Sequence, residues 1–308
     1  MTNLIKSEKV ARISDTVPPK PNLLINGGFD IWQRGTSFSG TSRFIADRWK
    51  VKTNTDTGGT TTHSLQTNFV DGNYYQIQAT GHNLEHYFIA QSLDLEAMPL
   101  SLFSGKTFTI TYEIDSPNLI EAAIVFNIRT FDPSGNTVYT NINSWVFESL
   151  TTGRQTKSHT ITFPDLSGYS SQVQAGDHIN FHLLLRENAS NDLLPDGTYK
   201  IYNIKLEEGS NFTGWPHVDP TTELEKCQRY YQKHSGWQGY MSTSSSLYRD
   251  WYQFLPVAMR ATPTVTSVGG SLIINQDFST KTVLEVNHYV GATTGSITCD
   301  DFILDAEL

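Results

Sequence analysis

The chain has 308 residues and a formal net charge of −9, and it is 38% hydrophobic, 12% aromatic and 17% charged. This composition excludes a disordered chain, which would carry more charge and fewer aromatic residues, and the negative charge without any Lys/Arg cluster argues against nucleic-acid binding. The two cysteines, Cys227 and Cys299, are too few for a disulfide framework. No apolar segment suits a signal peptide or a membrane span, so we expect synthesis in a reducing cytoplasm and no membrane insertion.

Residues 1–21 are a polar lead that ends in VPPKP. Because prolines favour an extended and semi-rigid connector, this segment is predicted to be an arm that docks on another protein. From residue 22 to 216, apolar and polar residues alternate between turn signals, as in FTITYEI (108–114), HINFHLLLRE and YKIYNIKLEEG. A period of two predicts short β-strands, so residues 22–216 are predicted to form an all-β sandwich.

The pattern changes after GWPHVDP. The segment PTTELEKCQRYYQKH has apolar residues at helical spacing, and Thr222 with Glu225 fits a capping box. Strand-like segments separated by Gly, Ser and Thr follow to the end of the chain. We therefore predict a smaller β-rich domain with one short helix over residues 217–308. A domain of this size has little stability alone, so burial against sister chains would help it.

Six phrases in a fixed order carry a resemblance to a known family. They are NLLINGGFDIWQRG, ADRWKV, YKIYNIKLEEGS, CQRYYQK, PVAMRATPTVT and the terminal DAEL. In this order they resemble phage tail-fibre and receptor-binding proteins that carry a carbohydrate-binding-module-like jelly roll, and the likeness covers residues 22–308. It implies that NLLINGGFDIW is the first jelly-roll strand, that IYNIKLEEG is the last one, and that the C-terminal domain forms a trimer.

The resemblance also implies a function. The expected protein is a non-enzymatic tail fibre or tail-tip receptor-binding subunit that is part of the virion tail and binds a bacterial surface polysaccharide. The expected assembly is a homotrimer that contacts other tail proteins through its N-terminal arm. Two alternatives stay open: a purely structural virion component, such as a head decoration or an adaptor, and a polysaccharide depolymerase or glycosidase-associated module. A depolymerase would usually need a long β-helical repeat, which the sequence does not contain.

One metal site follows from the resemblance. Similar jelly rolls often hold a structural calcium ion between the first and last strands, where Asp30 and Asn203 stand in this chain. Calcium prefers several oxygen ligands, and Asn203 replaces an Asp that the family often has at this position. The presence and absence of calcium therefore both stay open, and no other cofactor is expected.

The segment HNLEH, from His82 to His86, matches the H-x-x-E-H motif of one class of zinc protease. That chemistry needs both histidines on one face of a helix. The residues that follow alternate as a strand, on which positions four apart lie roughly 13 Å apart. We therefore predict a turn that leads into a strand rather than a zinc site.

Aromatic residues are concentrated between Tyr230 and Phe254, where eight occur within 25 residues. Aromatic rings stack on the C–H faces of sugars, whereas Tyr and Trp are also enriched at subunit interfaces. The Gly- and Ser-rich GYMSTSSS favours an exposed loop. Glycan contact and simple packing of this loop stay open as alternatives. The candidate glycan-binding residues are Trp237, Tyr240, Tyr248 and Trp251.

Overall fold

The structure is a computed structural model. It describes residues 18–40, 43–52, 55–56, 59–81, 84–85, 87–131, 136–173, 176–188, 193–235, 237–242, 247–268, 273–274, 283–290, 294–299 and 301–307. In several strand segments, including Trp237–Ser242 and Leu247–Gln253, only the backbone is described.

The protein is mainly β, with a jelly-roll β-sandwich followed by a smaller β-rich part that contains one short helix. The elements of the first part are β1 (Ser37–Ser39), β2 (Arg43–Phe44), β3 (Lys50–Lys52), β4 (Thr55–Asp56), β5 (Thr60–Asn68), β6 (Gly72–Thr80), β7 (Leu84–Glu85), β8 (Tyr87–Asp94), α1 (Leu100–Phe103), β9 (Thr107–Ser116), β10 (Ile120–Phe131), β11 (Thr137–Asn141), β12 (Val146–Leu150), β13 (Gly153–Thr162), a 3-10 turn (Ser167–Tyr169), β14 (His178–Arg186) and β15 (Gly197–Glu208).

Two antiparallel sheets build the sandwich. The first has the order β1-β5-β6-β15-β9-β13, and the second has the order β11-β10-β14-β8-β3-β2 with β12 also pairing with β10. Strands that are consecutive in sequence repeatedly change sheet, as β8 and β9 do. The segment YKIYNIKLEE is the last strand of the sandwich in chain order, as the resemblance implied, and pairs with β6 and β9.

The core lies between the two sheets and confirms the alternation in the sequence. On β9, the side chains of Phe108, Ile110, Tyr112 and Ile114 are fully buried. On β14, Ile179, Phe181, Leu183 and Leu185 point into the same apolar cluster, so the residues between them belong to the opposite face of the sheet.

The segment NLLINGGFDIW is not a strand, which corrects the prediction. It turns beside β15, with the Leu23 amide donating to the Leu206 carbonyl (2.9 Å) and the Ile204 amide donating to the Gly27 carbonyl (2.8 Å). The backbone has positive φ at Asn26 and Phe29 (57° at each), and such residues break a strand. Phe29 of this segment is fully buried in the core.

The second part begins with the predicted helix and continues as strands. Its elements are α2 (Pro220–Gln228), β16 (Tyr231–His234), β17 (Trp237–Ser242), β18 (Leu247–Phe254), β19 (Thr264–Val268), β20 (Ile273–Ile274), β21 (Val283–Val290), β22 (Thr294–Cys299) and β23 (Asp301–Asp305). They form the sheets β16-β23-β19, β17-β22 and β18-β21-β20. In the part of the chain that the structure describes, no helix has both the length and the apolar character that a membrane crossing needs.

The N-cap of α2 differs from the predicted capping box. Asp219 is the cap, and its carboxylate accepts a hydrogen bond from the Thr222 amide (2.9 Å). Pro220 follows at the first helical position, where its missing N–H costs nothing. Glu225 is exposed on the outer side of the helix.

Polar contacts join the second part to the sandwich. Glu307 pairs with the buried Arg48 and with Arg34 (3.2 Å), and Arg260 donates to Asp94 at the end of β8 (3.2 Å). The apolar cluster around Phe302 and its neighbours is separate from the sandwich core. The division at residue 217 stays a prediction.

Candidate functional site

The outer face of the second sheet carries a cleft of about 760 Å³, which we call the sheet cleft. It is built by the residues that alternate with the core positions on β3, β8, β10 and β14. Its lining residues are Phe44, Arg48, Lys50, Lys52, Ala90, Ser92, Asn127, Arg129, Tyr139, Gly176, His178, Asn180, His182, Arg260 and Glu307.

Three polar side chains cross the floor of the sheet cleft in register. Asn127, Asn180 and Ser92 stand opposite one another on β10, β14 and β8. The Ser92 hydroxyl donates to the Asn180 amide oxygen (2.8 Å), and the Asn180 amide nitrogen donates to the Asn127 amide oxygen (3.0 Å). Because each amide and hydroxyl retains further hydrogen-bonding capacity, this row can bind ligand hydroxyl groups.

Two histidines of β14 border this row and are neutral near pH 7. Burial lowers the pKa of His178 to about 4 and that of His182 to about 4. The Nδ1 of His178 lies 3.1 Å from the Gly176 carbonyl and therefore donates to it. The Nε2 of His182 is buried and has no hydrogen-bond partner within the protein. A buried polar atom of this kind is costly unless it binds something.

A patch of three aromatic rings, which we call the ring patch, continues from the cleft. Phe88 makes an edge contact with His182 (ring centroids 5.7 Å apart) and packs against Trp145 (6.0 Å). Trp145 stacks with Phe147 (6.3 Å), and Phe147 is 50% exposed. The three rings give the outer face an apolar platform directly beside its polar row.

Positive charge is concentrated in the sheet cleft of an otherwise acidic chain. Lys50 and Lys52 are exposed on β3, and Arg129 lies 3.8 Å from Asp177 at the other side. Of the described residues that line the cleft, Glu307 is the one carboxylate, and it is paired with arginines.

The predicted metal residues, Asp30 and Asn203, do lie together at a second cavity of about 640 Å³. A Cβ atom on Gly28 would lie 3.0 Å from an Asp30 carboxylate oxygen and 3.6 Å from the Asn203 amide oxygen. The other Asp30 oxygen accepts a hydrogen bond from Asn73 (2.9 Å). Burial raises the pKa of Asp30, and the neighbouring Glu223 carboxylate raises it further.

Two converging oxygens are fewer than the six to eight that calcium takes. Among the described residues there is no group of three His, Cys, Asp or Glu side chains at metal-binding distance. Backbone carbonyls would have to supply most of the ligands, so the calcium ion stays a prediction.

The four predicted glycan-binding residues lie on strands in the second part. Trp237 and Tyr240 belong to β17 opposite Cys299 and Ser296, and Tyr248 and Trp251 belong to β18. The segment is therefore not one continuous loop, which corrects that part of the prediction. The side chains of these four residues lie outside the described residues, so their role stays a prediction.

His82 and His86 of the HNLEH segment also lie outside the described residues. What is described around them is extended: Leu84–Glu85 form β7, which pairs with β4, and β8 begins at Tyr87.

Sequence reasoning missed the sheet cleft, although part of its signal was present. The polar positions of HINFHLLLR (178–186) alternate with the core positions, and so do Lys50 and Lys52. These strands are far apart in sequence. The strand register decides which polar residues of different strands become neighbours, and only the folded structure shows that register.

Comparison with known proteins adds structural likenesses only. No family model and no curated protein matches the chain. Solved structures similar to it include the enzymatically active domain of tailspike protein 4 from Bacteriophage CBA120, at 11% identity and a TM-score of 0.34, covering 61% of this chain and 21% of that chain.

Carbohydrate-binding modules also occur among the similar structures. The CBM22-1 xylan-binding domain of Paenibacillus barcinonensis Xyn10C is 11% identical with a TM-score of 0.33, covering 63% of this chain and 99% of that chain. The family 11 module of Clostridium thermocellum Lic26A-Cel5E is 18% identical with a TM-score of 0.31, covering 60% and 94%. TM-scores this low do not transfer a ligand to this chain.

Proposed function

We propose that this protein is a non-enzymatic receptor-binding subunit of a phage tail, a tail fibre or tail-tip protein, that binds a bacterial surface polysaccharide in the sheet cleft. The single observation that carries the proposal is the adjacency of two surfaces on one sheet face. The polar row around Asn180 and the ring patch around Phe88 are joined through His182, which contacts Phe88 and is next to the row on β14.

This combination suits a sugar because a pyranose ring has two kinds of surface. Its C–H faces are apolar and pack on aromatic side chains, while its hydroxyl groups require hydrogen-bond partners at the edge. The exposed ring of Phe147 supplies the first, and the amides of Asn127 and Asn180 supply the second.

The arrangement supports binding rather than hydrolysis. Glycoside hydrolysis uses two carboxyl groups placed on either side of the scissile bond. Among the described residues lining the sheet cleft, Glu307 is the one carboxylate, and it is paired with Arg34 and Arg48, so this lining does not offer the two opposed carboxyl groups that hydrolysis uses.

In this proposal the protein is a homotrimer assembled through residues 217–308, and it is part of the virion tail after synthesis in the host cytoplasm. The N-terminal arm, residues 1–21, contacts another tail protein. Of this arm only residues 18–21 are described, and there the Lys20 ammonium donates to the Glu208 carbonyl (2.7 Å).

The experiment uses purified protein, host cells and extracted host surface polysaccharide. We expect the protein to bind the polysaccharide, to reduce adsorption of the phage when added in excess, and to leave the polymer length unchanged on overnight incubation. Shortening of the polymer would contradict the non-enzymatic assignment. Absence of binding to both cells and polysaccharide would overturn the proposal.

A further inference from the structure

The positive charge of the sheet cleft favours ligands that carry negative charge. Its lining contains five cationic side chains, Arg48, Lys50, Lys52, Arg129 and Arg260, against the single carboxylate of Glu307. Two carboxylates outside the lining, Asp94 and Asp177, accompany Arg260 and Arg129. The positive charge that remains is that of the two lysines.

Lys50 and Lys52 differ in their surroundings from five of the other seven lysines that the structure describes. Lys106, Lys157, Lys200, Lys205 and Lys226 each have a carboxylate oxygen within 3.5 Å. Among the described residues, neither Lys50 nor Lys52 forms such a pair, and the Lys50 ammonium instead lies 5.6 Å from the Phe44 ring centroid. Both side chains are exposed, and both belong to the wall of the sheet cleft.

The two ammonium groups are placed beside the rings. In the register of β3 with β8, Lys52 stands opposite Phe88 and Lys50 stands opposite Ala90. They are two residues apart on one strand and therefore share the outer face of the sheet. A ligand that stacks on Phe88 thus places its ring edge next to a cation.

We propose that the glycan bound by the sheet cleft is acidic, with uronic acid residues whose carboxylates pair with Lys50 and Lys52. This inference rests on the proposed glycan-binding function. A uronic acid carries its charge on the pyranose ring itself, so one sugar unit meets both the ring patch and the lysines. A linear polyphosphate offers charge without a ring to stack.

The two histidines of the sheet cleft differ from the lysines because they are uncharged. Because burial keeps His178 and His182 uncharged near pH 7, they add no positive charge to the cleft, and the charge contact belongs to the lysines. Binding is then expected to weaken with added salt, since the lysine side chains are exposed and screened.

The test compares acidic polymers with neutral forms of the same backbone. The panel is polygalacturonate, alginate and hyaluronate, each with its carboxyl-reduced counterpart, and dissociation constants are measured by titration calorimetry at low and high sodium chloride concentration. We expect wild-type protein to bind at least one uronate polymer about tenfold more tightly than its reduced form. This preference should shrink as salt is raised.

Variants assign the effect to the two lysines. Lys50→Gln combined with Lys52→Gln should remove the tenfold preference, and Lys50→Arg with Lys52→Arg should retain it. Lys106→Gln with Lys233→Gln, which removes the same charge outside the cleft lining, is the matched control and should leave the affinity unchanged.

The failures are distinguishable. Equal affinity for acidic and reduced polymers would overturn the acidic-ligand inference and leave the proposed glycan binding intact. Tighter binding to a glycerol-phosphate teichoic acid than to every uronate polymer would overturn the choice of carboxylate. Binding to none of the polymers in either form, together with binding to the extracted host polysaccharide, would overturn the acidic-ligand inference alone. Absence of binding to the host polysaccharide as well would overturn both proposals.

Discussion

At the scale of single residues, the role of Gly27 shows how a close approach fixes an amino-acid type. Positive φ in this segment occurs at Asn26 and Phe29 and not at Gly27 or Gly28. A Cβ atom on Gly27 would lie 2.2 Å from the Ile204 carbonyl oxygen. The glycine is needed because the backbone of β15 passes directly over it.

We therefore expect Gly27→Ala to destabilise the protein by about 1–3 kcal/mol, the usual cost of forcing a methyl group into a packed site. Gly168→Ala is the control, because a Cβ there meets no atom within 4 Å and its φ is not positive. Its effect should stay within about 0.5 kcal/mol. Urea unfolding of both variants measures the difference, and equal midpoints would contradict the account of Gly27.

His63 is a second residue whose surroundings have a measurable consequence. Its Nε2 lies 3.0 Å from the Gly40 carbonyl and donates to it, so its Nδ1 accepts from the Tyr75 hydroxyl (2.7 Å). Burial lowers the pKa of His63 to about 4 from an ordinary value of 6.5. As the pH falls from 6.5 to 4, His63 therefore becomes protonated in the unfolded chain but stays neutral in the folded chain.

The lowered pKa of His63 determines how its contribution to stability changes with pH. The neutral form of His63 is favoured by folding, so its contribution to stability is complete above pH 6.5 and is lost as the pH falls towards 4. In this window wild-type protein should lose up to about 1.4 kcal/mol per pH unit more than the His63→Gln variant. Subtracting the two unfolding profiles removes the contribution of other groups. Parallel profiles would show that His63 is not the group that titrates.

At the scale of elements, alternation predicted the strands whose two faces differ. The segments that became β9, β14 and β15 were recognised because buried and polar positions alternate along them. The NGG segment does not form the strand that the resemblance implied, because Asn26 and Phe29 adopt positive φ. Asn and Gly are typical turn residues, whereas positive φ at Phe29 has no compositional signal. Local patterns predict an element when its periodicity is regular, and fail where distant backbone decides the conformation.

At the start of α2, the local sequence pattern likewise indicated the wrong residues, and mutation can test which residue caps the helix. Thr222 and Glu225 fit the capping-box pattern, but the carboxylate of Asp219 reaches the Thr222 amide (2.9 Å) and takes the capping role. Asp is among the strongest N-caps, and its loss leaves an amide without a partner. We expect Asp219→Ala to lower the urea midpoint, whereas Glu225→Ala should not. A lower urea midpoint for Glu225→Ala than for Asp219→Ala would instead support the predicted capping box of Thr222 and Glu225.

Single residues of the candidate site could be predicted from the sequence, but their assembly into one cleft could not. Lys50, Lys52, His178 and Asn180 were visible as polar positions of strands. Their meeting on one face depends on the pairing of β3, β8, β10 and β14, which brings residues about 130 positions apart into register. The half-buried ring of Trp145 and the exposed ring of Phe147 were not singled out by the sequence pattern.

At the scale of the whole molecule, the described residues join the second part to the sandwich by ion pairs of Glu307 with Arg34 and Arg48 and of Arg260 with Asp94. A domain of about 90 residues has little stability alone, so burial against sister chains would help it. We expect light scattering at micromolar concentration to give three times the mass of one chain. A monomer mass under these conditions would contradict the proposed homotrimer, for which closed cyclic symmetry is expected.

The central claim is that the polysaccharide binds at the sheet cleft, and one measurement tests it most directly. Affinity for the host polysaccharide is compared between the ring-patch variant Trp145→Ala/Phe147→Ala and the variant Trp237→Ala/Trp251→Ala, with Phe69→Ala as a control for an exposed phenylalanine elsewhere. The account predicts at least a tenfold loss, about 1.4 kcal/mol, for the ring-patch variant with an unchanged melting temperature. Unchanged affinity in that variant, together with lost affinity in the Trp237/Trp251 variant, would contradict it and move the site to β17 and β18.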